Sequence, residues 1–421
     1  MSAATPATES TPTSTFSYQG SFERNDCGYC RPDPESEPLV SSFYLRSHSL
    51  TPRHYQCLVN RGWRRSGDLL YKPHMKLTCC KHYTTRLNGN TFKPSRNQRN
   101  ALHKWTRYVL GEEYIRESAK KYPKSKEERK KQHNVFDLAE SVHAAEYSVN
   151  ARRIPPEPAH RFEVTLEPAS FSEEKFDLFE NYQRNVHHEK PHEITRRGFT
   201  RFLCNTPLPT ETTDSGKKLG TYHQCYYLDG RLIAMGVLDL LPNVVSSVYF
   251  MYHSDFGKWN LGKVSACREA CLATEGGYKY YYMGYYIPSC QKMRYKGEYG
   301  PSELLDPDSN DWLPLTEELK KQLIGDPTWG GRFQPDSRCT GEQDRDPGFC
   351  IESGMPGLMS PSELDAFNIG GVRIRASGRS STAENLVGFE REGGLVRNLI
   401  KETVSAVGPE VASGMVMVFG H

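Results

Sequence analysis

The chain has 421 residues, of which 37% are hydrophobic and 25% are charged, so it is long enough for two or three domains, each with its own core. No stretch approaches the roughly 18 consecutive apolar residues that a membrane-spanning helix requires. The first residues also lack the basic and apolar regions of a secretory signal. We therefore expect a cytoplasmic protein that does not span a membrane.

The net charge of +3 conceals an uneven distribution of charge along the chain. Between Val40 and His133 there are 22 lysines and arginines but 6 acidic residues, a local net charge of +16. A basic region beside an acidic remainder favours a polyanionic partner that is held by one part of the molecule. A solvated, lysine-rich surface is the alternative. The KSKEERKK segment of this region is also a candidate nuclear import signal.

Shifts in composition divide the chain into five regions. These are a disordered tail (1–15), a cysteine-rich basic domain (16–117), a charged linker with a helical segment (118–160), a second domain (161–315) and a C-terminal extension of unknown role (316–421). The linker combines a run of charges with almost no apolar residues, and the prolines of RIPPEPAH mark its end.

Four cysteines of the first domain have the spacing of metal ligands. Cys27 and Cys30 form a CxxC turn, which places two thiolates on one metal centre, and the adjacent Cys79 and Cys80 supply a second pair. Four thiolates suit tetrahedral zinc or an iron–sulfur cluster, and the sequence does not separate the two. Two nearby histidines are alternative ligands, His74 and His82.

Basic and aromatic residues alternate in the same domain, a pattern typical of RNA binding. Cations hold phosphates, while aromatic rings and guanidinium planes stack on unpaired bases. The alternative is that the aromatic residues form the core and the cations a solvated surface. The candidate RNA contacts are Arg61, Trp63, Arg64, Arg65, Lys72 and Lys81.

The second domain is predicted to be α+β. Its predicted elements, in chain order, are an edge strand from residue 161, a helix capped by Ser172, a hairpin turning at Asp229-Gly230, a strand over 246–253, a helix closed by Gly276-Gly277 and a strand over 278–287. The order hairpin, strand, helix, strand resembles the centre of the GNAT acyltransferase fold. In that fold two neighbouring strands splay apart to admit the substrates.

Polar and aromatic residues are dense along these strands. Cations clustered after the last strand are suited to clamp a carboxylate, whereas a strand tyrosine is as often a packing residue with a solvated hydroxyl. The candidate catalytic residues are His223, Gln224, Asp239, Tyr249, Tyr252 and Asp255. The candidate substrate-binding residues are Ser246, Ser247, Tyr285, Lys292, Arg294, Lys296 and Glu298.

The segment that precedes the second helix differs from an acyl-CoA site. Acetyl-CoA-dependent GNAT enzymes carry a Q/R-x-x-G-x-G/A loop that holds pyrophosphate at a helix N-terminus. Residues 260–265 keep one glycine and Lys263 but not the whole loop. This weakens an acyl-CoA interpretation, and it leaves Lys263 as a candidate contact for a single phosphate at an RNA 3′ end.

Five segments together resemble the eukaryotic arginyl-tRNA–protein transferases, in that family's order, over about 16–110 and 161–315. They are CGYC, WRRSGDLLYKP with the following CC, YHQCYYLDGRLIAMGVLDLLP, SSVYF and YYYMGYYIPSCQKMRYKGEYGPSELL. Two positions depart from the family pattern. Pro288 stands where histidine is expected, which puts a side-chain role there in doubt, and Cys225 stands where glutamine is expected.

The resemblance implies a cysteine-ligated regulatory domain followed by a GNAT-like aminoacyltransferase domain. Arg-tRNA would be the donor, and proteins beginning with Asp, Glu or oxidised Cys the acceptors, whose new N-terminal arginine marks them for N-degron-dependent degradation. No acyl-CoA is expected. The rivals are an acyl-CoA-dependent acetyltransferase and a metal-dependent RNA-binding module without catalysis.

In the reaction so implied, the α-amine of the acceptor attacks the ester of Arg-tRNA. We expect the cluster of cations to hold the acceptor's carboxylate, with the two strand tyrosines lining the cleft and His223 and Gln224 orienting the ester. Three carboxylates are the candidates to bind the arginyl guanidinium or relay the amine proton, namely Asp239, Asp255 and Glu298.

Overall fold

A computed structural model describes residues 13–24, 27–29, 40–128, 130, 135–150, 157–325, 350–391 and 393–419. The fold is mixed α+β and contains two large sheets. None of the described helices is long and apolar enough to cross a membrane.

Seventeen strands lie within the described residues. They are β1 Thr15–Arg24, β2 Val40–Ser49, β3 Arg64–Ser66, β4 Leu69–Pro73, β5 Tyr83–Asn88, β6 Phe162–Pro168, β7 Glu211–Thr212, β8 Lys218–Leu228, β9 Arg231–Leu241, β10 Val244–Tyr252, β11 Tyr280–Tyr282, β12 Tyr285–Tyr286, β13 Ser302–Leu305, β14 Trp312–Pro314, β15 Arg373–Ala376, β16 Arg379–Thr382 and β17 Val416–Phe419.

The described α-helices are numbered in the same way. They are α1 Pro52–Val59, α2 Arg96–Leu110, α3 Glu112–Lys121, α4 Leu138–His143, α5 Tyr147–Asn150, α6 Glu173–Tyr182, α7 Arg196–Phe199, α8 Leu261–Glu275, α9 Gln291–Arg294, α10 Glu317–Gly325, α11 Pro361–Ala366, α12 Leu395–Val407 and α13 Pro409–Gly414. A π-helical turn, Gln183–His187, extends α6.

The first sheet has seven strands in the order β16-β15-β17-β1-β2-β4-β3, and it joins distant parts of the chain. Strand β1 pairs in parallel with β17, so that Phe16 lies opposite Met417. The indole of Trp63 is fully buried and donates to the carbonyl oxygen of Ala406 at 3.0 Å. Residues 373–419 therefore complete the sheet and core of the predicted first domain, a role that was not assigned to the C-terminal extension.

The second sheet has a main path of eight strands in the order β14-β13-β5-β11-β10-β9-β8-β6, with β12 joined to β5 and β7 joined to β8. Strand β5 comes from the predicted first domain but lies between β13 and β11. The predicted domain limits therefore do not coincide with the limits of the sheets.

Several local predictions are confirmed. Asp229 and Gly230 both have positive φ, 51° and 82°, as a type I′ hairpin between β8 and β9 requires. Strand β6 forms the sheet edge, and the Ser172 side chain accepts a hydrogen bond from the Lys175 amide at the start of α6. Gly276 is the C-cap of α8 and Gly277 follows with a φ of 70°. These features depend on adjacent residues.

Strands β10 and β11 separate soon after they pair. They run parallel through three residue pairs, from Val244 opposite Tyr280 to Ser246 opposite Tyr282. Gly284 then adopts a φ of 82°, and β12 pairs with β5 instead of β10. A bulge between Ser247 and Tyr249 bends β10 at the same level. The strand predicted over 278–287 is thus broken, and the outer half of β10 has no paired strand on that side among the described residues.

Candidate functional site

Aromatic side chains line the outer half of β10, where its neighbouring strand has left. The ring of Tyr182, at the end of α6, lies 5.2 Å from that of Tyr252 and 6.2 Å from that of Tyr249. The Tyr249 hydroxyl donates to the side-chain oxygen of Gln183 at 2.9 Å. Burial raises the pKa of Tyr182 to about 12, with Tyr252 adding to the effect, so the Tyr182 hydroxyl stays protonated. We call this group the tyrosine cleft.

Two titratable groups border the tyrosine cleft. The Nε2 atom of His187 lies 3.3 Å from the Tyr249 hydroxyl. Burial lowers the pKa of His187, and the charge of Lys292 on α9 lowers it further. Lys292 is exposed and forms no ion pair with any described residue. The rim of the cleft therefore offers an unpaired cation near a histidine that is neutral at physiological pH.

A buried carboxyl group, Glu269 of α8, lies where β10 and β11 separate. It is 1% exposed, and it accepts hydrogen bonds from the hydroxyls of Ser265 at 2.6 Å and Tyr281 at 2.7 Å. Ser247 of β10 also bonds to it. Gly236 of β9 leaves the space, because a Cβ there would lie 3.3 Å from Glu269 Oε1. Burial raises the pKa of Glu269, which favours a neutral carboxylic acid.

Two buried cations lie beside β12. Lys296 is 7% exposed, and its Nζ atom donates to the carbonyl oxygen of Tyr285 at 2.9 Å. Burial lowers the pKa of Lys296 to about 7, and Arg64 lowers it further. The guanidinium of Arg64 lies 4.8 Å from the ring centroid of Tyr285, and its Nε and Nη2 atoms have no hydrogen-bond partner. Neither cation has a carboxylate partner among the residues that the structure describes.

Three of the predicted cysteine ligands lie together. The sulfur atoms of Cys27, Cys79 and Cys80 are all within 4.8 Å of one another. Cys30 lies outside the described residues. The cluster touches the segment that follows β12, since the Ser289 hydroxyl donates to the Cys80 sulfur at 3.4 Å. Of the two alternative ligands, His74 instead bonds through Nε2 to the Ser353 hydroxyl at 3.0 Å. Three thiols that are candidate metal ligands thus lie in the same packed region as Tyr285, beside the buried cations.

Two protein-family models match these two parts of the chain. "Arginine-tRNA-protein transferase, N terminus" matches residues 25–100, which hold the cysteine cluster. "Arginine-tRNA-protein transferase, C terminus" matches residues 174–306, which hold the tyrosine cleft. Both regions of the chain therefore match the arginyl-tRNA–protein transferase family.

Individual members of the family and a bacterial relative are similar over long alignments. Arginyl-tRNA–protein transferase 1 of Saccharomyces cerevisiae is 33% identical over 280 residues, which cover 62% of this chain and 50% of that protein. The enzyme of the same name from Drosophila melanogaster is 29% identical, with coverages of 74% and 84%. Aspartate/glutamate leucyltransferase of Pseudomonas fluorescens is 29% identical, with coverages of 67% and 90%. The chain spans half the length of the yeast relative.

The structure places Asp239 away from the tyrosine cleft, in a buried ion pair with Arg65. Arg65 Nε donates to Asp239 Oδ2 at 2.9 Å and its Nη2 to Oδ1 at 2.5 Å, with both side chains at most 1% exposed. The Thr221 hydroxyl also donates to Oδ1 at 2.8 Å. Both charges are satisfied inside the protein. This corrects the expectations that Asp239 contacts the substrate and that Arg65 contacts RNA.

Three other candidate catalytic residues also lie outside the tyrosine cleft. His223 is fully buried, shares a hydrogen bond with the carbonyl oxygen of Leu203 at 3.0 Å, and has its pKa lowered to about 4 by burial. Gln224 accepts from the Tyr226 hydroxyl at 2.6 Å within the core. Asp255 pairs with Arg231 on the surface at 3.1 Å. Each has a local structural partner, so none is presented to a substrate here.

Most of the candidate RNA contacts point inward. Trp63, Arg64 and Lys72 are buried, and Lys72 Nζ donates to the carbonyl oxygen of Arg61 at 2.8 Å. The predicted RNA-binding surface is therefore wrong for these positions. Trp63 is a core residue, as in the alternative, and Trp63 and Lys72 both contact the C-terminal segment. Three of the candidates keep partial exposure, namely Arg61, Lys81 and Lys263.

Of the remaining candidates, some are buried near the point where β10 and β11 separate, and the others are exposed. Ser246 is buried within the sheet, and the Tyr285 hydroxyl donates to the carbonyl oxygen of Gly62 at 2.7 Å. Arg294 is exposed and donates to the carbonyl oxygen of Pro288 at 3.0 Å, and Glu298 is also exposed. Only Tyr249, Tyr252, Ser247 and the cations of 292–296 lie at or beside the opening.

Sequence reasoning did not identify Glu269, Tyr182 or His187. Glu269 carried a usable signal, because it is a charged residue on the apolar face of a helix otherwise rich in alanine and cysteine. Tyr182 and His187 gave no such signal. They belong to a helix and π-turn whose position against β10 is set only by tertiary packing.

Proposed function

We propose that this chain transfers arginine from Arg-tRNA to the N-terminal α-amine of proteins that begin with Asp, Glu or oxidised Cys, and so marks them for N-degron-dependent degradation. The observation that carries the proposal is the presence of both family regions in one chain. The tyrosine cleft lies within the C-terminal region. A cytoplasmic or nuclear location stays a prediction.

The fold proposed for the C-terminal region is GNAT-like. Three observations support it: a parallel strand pair that separates after three residues, a bulge in β10 beside the opening, and a helix that connects the two separating strands. The first turn of that helix carries Lys263 and a single glycine. An RNA phosphate fits this turn better than the pyrophosphate of an acyl-CoA, and we propose that no acyl-CoA takes part.

For the cysteine cluster we propose a bound metal centre with Cys27, Cys30, Cys79 and Cys80 as ligands. Three sulfur atoms within 4.8 Å of one another fit tetrahedral zinc, in which Zn–S bonds of about 2.3 Å place neighbouring sulfurs about 3.8 Å apart. An iron–sulfur cluster is the second candidate, and its visible absorption distinguishes it. The metal centre would hold the connection between β1 and β2 against the segment that follows β12.

The acceptor's acidic side chain is proposed to neutralise the buried cations. Arg64 carries a charge in a buried place, and burial lowers the pKa of Lys296 to about 7; neither has a carboxylate partner among the described residues. An uncompensated buried cation costs several kcal/mol, whereas a carboxylate that accepts from a guanidinium and an ammonium forms strong charge-assisted bonds. Lys292 and Arg294, both exposed, would attract the acidic terminus towards the opening.

Positioning supplies most of the proposed rate enhancement. The acceptor α-amine has an ordinary pKa near 8, so a substantial fraction is neutral and nucleophilic at physiological pH. Its nitrogen attacks the ester carbonyl, the amide bond forms, and the bond to the 3′-terminal ribose oxygen of the tRNA breaks. The amine proton leaves as that oxygen takes up a proton. Tyr249 and Tyr252 would hold the aminoacyl group beside the amine, while Arg61, Lys81 and Lys263 are proposed tRNA contacts.

The test is transfer of radiolabelled arginine from charged tRNA to peptides that differ only in their first residue, Asp, Asn or Ala. Label on the Asp peptide alone supports the reaction and its requirement for a carboxylate. Leucyl-tRNA as donor is the control for the aminoacyl group. If no peptide is labelled by folded, metal-loaded protein that still binds tRNA, the non-catalytic RNA-binding module replaces this proposal.

A further inference from the structure

A cluster of donor atoms lies on the far side of α8, apart from the cysteine cluster. It contains the imidazole of His143 on α4 together with Cys271 and Glu275 on α8, and the ligand atoms of all three lie within 4.8 Å of one another. Cys271 and Glu275 are four residues apart and so face the same side of the helix. His143 Nε2 lies 3.0 and 3.2 Å from the two oxygens of Glu275.

We propose that His143, Cys271 and Glu275 form a second metal site, which binds a zinc-type dication. The site is independent of the arginine transfer proposed above, because it uses none of the residues of the tyrosine cleft or the cysteine cluster. Its donors are one imidazole nitrogen, one thiolate and one carboxylate oxygen. Water would supply the fourth position of a tetrahedral ion.

The chemistry of the donors selects the class of ion. Imidazole and thiolate bind zinc and similar transition ions, while calcium and magnesium prefer sites made wholly of oxygen. A single thiolate cannot hold an iron–sulfur cluster, which takes four cysteines or a mixture of cysteine and histidine. The structure therefore points to one mononuclear transition-metal ion.

A partner that orients the imidazole is already in place. The Nδ1 atom of His143 lies 2.5 Å from Glu146 Oε1, and Glu146 also pairs with Arg268 at 2.5 Å. A carboxylate on one ring nitrogen fixes the tautomer that presents the other nitrogen to a metal, and this arrangement is found around most zinc-bound histidines. Glu146 is thus assigned as a positioning residue.

Space and charge also suit a cation. A cavity of about 110 Å³ is bordered by His143, Arg268 and Glu275. The side chains of His143 and Glu275 are 30% and 42% exposed, so an ion can enter from solvent. Two glutamates face the imidazole, and Arg268 neutralises only Glu146. Without a metal, the same groups form an ion pair in which the Cys271 thiol also donates to the Glu275 carboxylate.

The proposed ion would fasten α4 to α8. Helix α4 has six residues and contacts the second sheet chiefly through α8. A short helix of this kind is marginal by itself, and metal ligands from both helices would hold the connecting region of the chain on the transferase region. The expected role is therefore structural, with a measurable effect on stability.

The test compares zinc content among full-length variants prepared side by side, by elemental analysis after loading and dialysis. Cys271→Ala and His143→Asn should each hold one zinc equivalent fewer than the wild type. Cys267→Ala removes a buried thiol one turn earlier on the same helix and should keep the wild-type count. Equal counts in all four proteins would overturn the site, as would an equal loss in the Cys267 variant.

Chelator competition provides a second readout that does not depend on the full removal of a ligand. Glu146→Gln keeps all three ligands but removes the charge on the orienting partner, so zinc affinity at this site should fall by roughly 10- to 100-fold. Added zinc should raise the thermal midpoint of the wild type more than that of His143→Asn. An unchanged affinity in Glu146→Gln, or equal thermal shifts, would contradict the proposal.

Discussion

Arg64 and Arg65 are adjacent on β3, have the same chemistry and are both buried, at 7% and 4% exposure. Alternation along the strand sends their side chains to opposite faces. Arg65 reaches across to the second sheet and pairs with Asp239 through two hydrogen bonds. Arg64 turns towards Tyr285 and leaves two of its nitrogens without a partner. One charge is neutralised within the chain, and the other has no carboxylate partner among the described residues.

This difference assigns the two arginines different roles: Arg65 is expected to stabilise the fold, and Arg64 to act in the proposed transfer reaction. The Arg65 pair joins β3 to β9 and contributes to the contact between the two sheets. The charge of Arg64 helps to lower the pKa of the neighbouring Lys296, because two like charges are unfavourable together in this buried place. The proposed acceptor carboxylate would relieve that repulsion. Matched substitutions at the two arginines therefore test both assignments.

The largest effect is expected for Arg65→Met, which leaves the Asp239 carboxylate buried and unpaired. We expect a loss of about 3–5 kcal/mol in the free energy of unfolding, measured by urea titration. A second substitution, Asp239→Leu, should recover much of that loss by removing the stranded charge. If the double variant is no more stable than Arg65→Met, the ion pair is not the source of the loss.

Arg64→Met should act on transfer and not on folding. Hydrogen bonds to charged groups contribute about 1.5–3 kcal/mol, so kcat/KM for a peptide beginning with Asp should fall by roughly 10- to 150-fold. The free energy of unfolding should be unchanged or slightly higher, because an uncompensated charge is removed. A destabilisation as large as that of Arg65→Met would contradict the assignment of Arg64 to transfer and of Arg65 to stability.

Glu269→Gln should remove a pH-dependent contribution of about 1 kcal/mol to the free energy of unfolding. Burial raises the pKa of Glu269 above the usual glutamate value of 4.5, so the folded protein keeps a proton that the unfolded chain releases. The contribution of Glu269 is therefore complete below that value and is lost as the pH rises through the folded pKa. Urea titrations between about pH 5 and pH 8 should show a downward slope in the wild type that is reduced in the variant.

The smallest effect is expected for Asp255→Asn, which removes an exposed version of the same arginine–carboxylate contact. The side chains of Arg231 and Asp255 are 52% and 58% exposed, so solvent screens their attraction and the loss should be below about 1 kcal/mol. Added salt should abolish the difference from the wild type. A loss comparable to that of Arg65→Met would mean that burial is not what distinguishes the two pairs.

Features that depend on neighbouring residues could be predicted from the sequence. The turn at Asp229-Gly230 and the cap at Ser172 each need only a few adjacent residues, and both are present. The grouping of Cys27 with Cys79 and Cys80 also followed from spacing and the preference of thiolates for a shared metal. The tyrosines of β10 were identified because a cleft was expected at that strand.

Features that depend on distant pairing could not be predicted. Arg65 and Asp239 are 174 residues apart, and each was assigned a ligand because its partner was unknown. The burial of Trp63 depends on Ala406, in a segment that had no predicted structure. The insertion of β5 between β11 and β13 likewise depends on which strand edges are open in the folded sheet. The composition of a segment does not show which distant segment packs against it in the folded protein.

The parallel pairing of β1 with β17 has a consequence for synthesis in the cell. Strand β1 lies between β2 and β17, so its second edge stays open until residues 416–419 leave the ribosome. Chains emerge at about 5–20 residues per second, so the first sheet lacks its last strand pairing for many seconds. A chain that stops short would keep an exposed strand edge, which chaperones and proteases recognise as unfinished. The first sheet is thereby complete only once residues 416–419 have been synthesised.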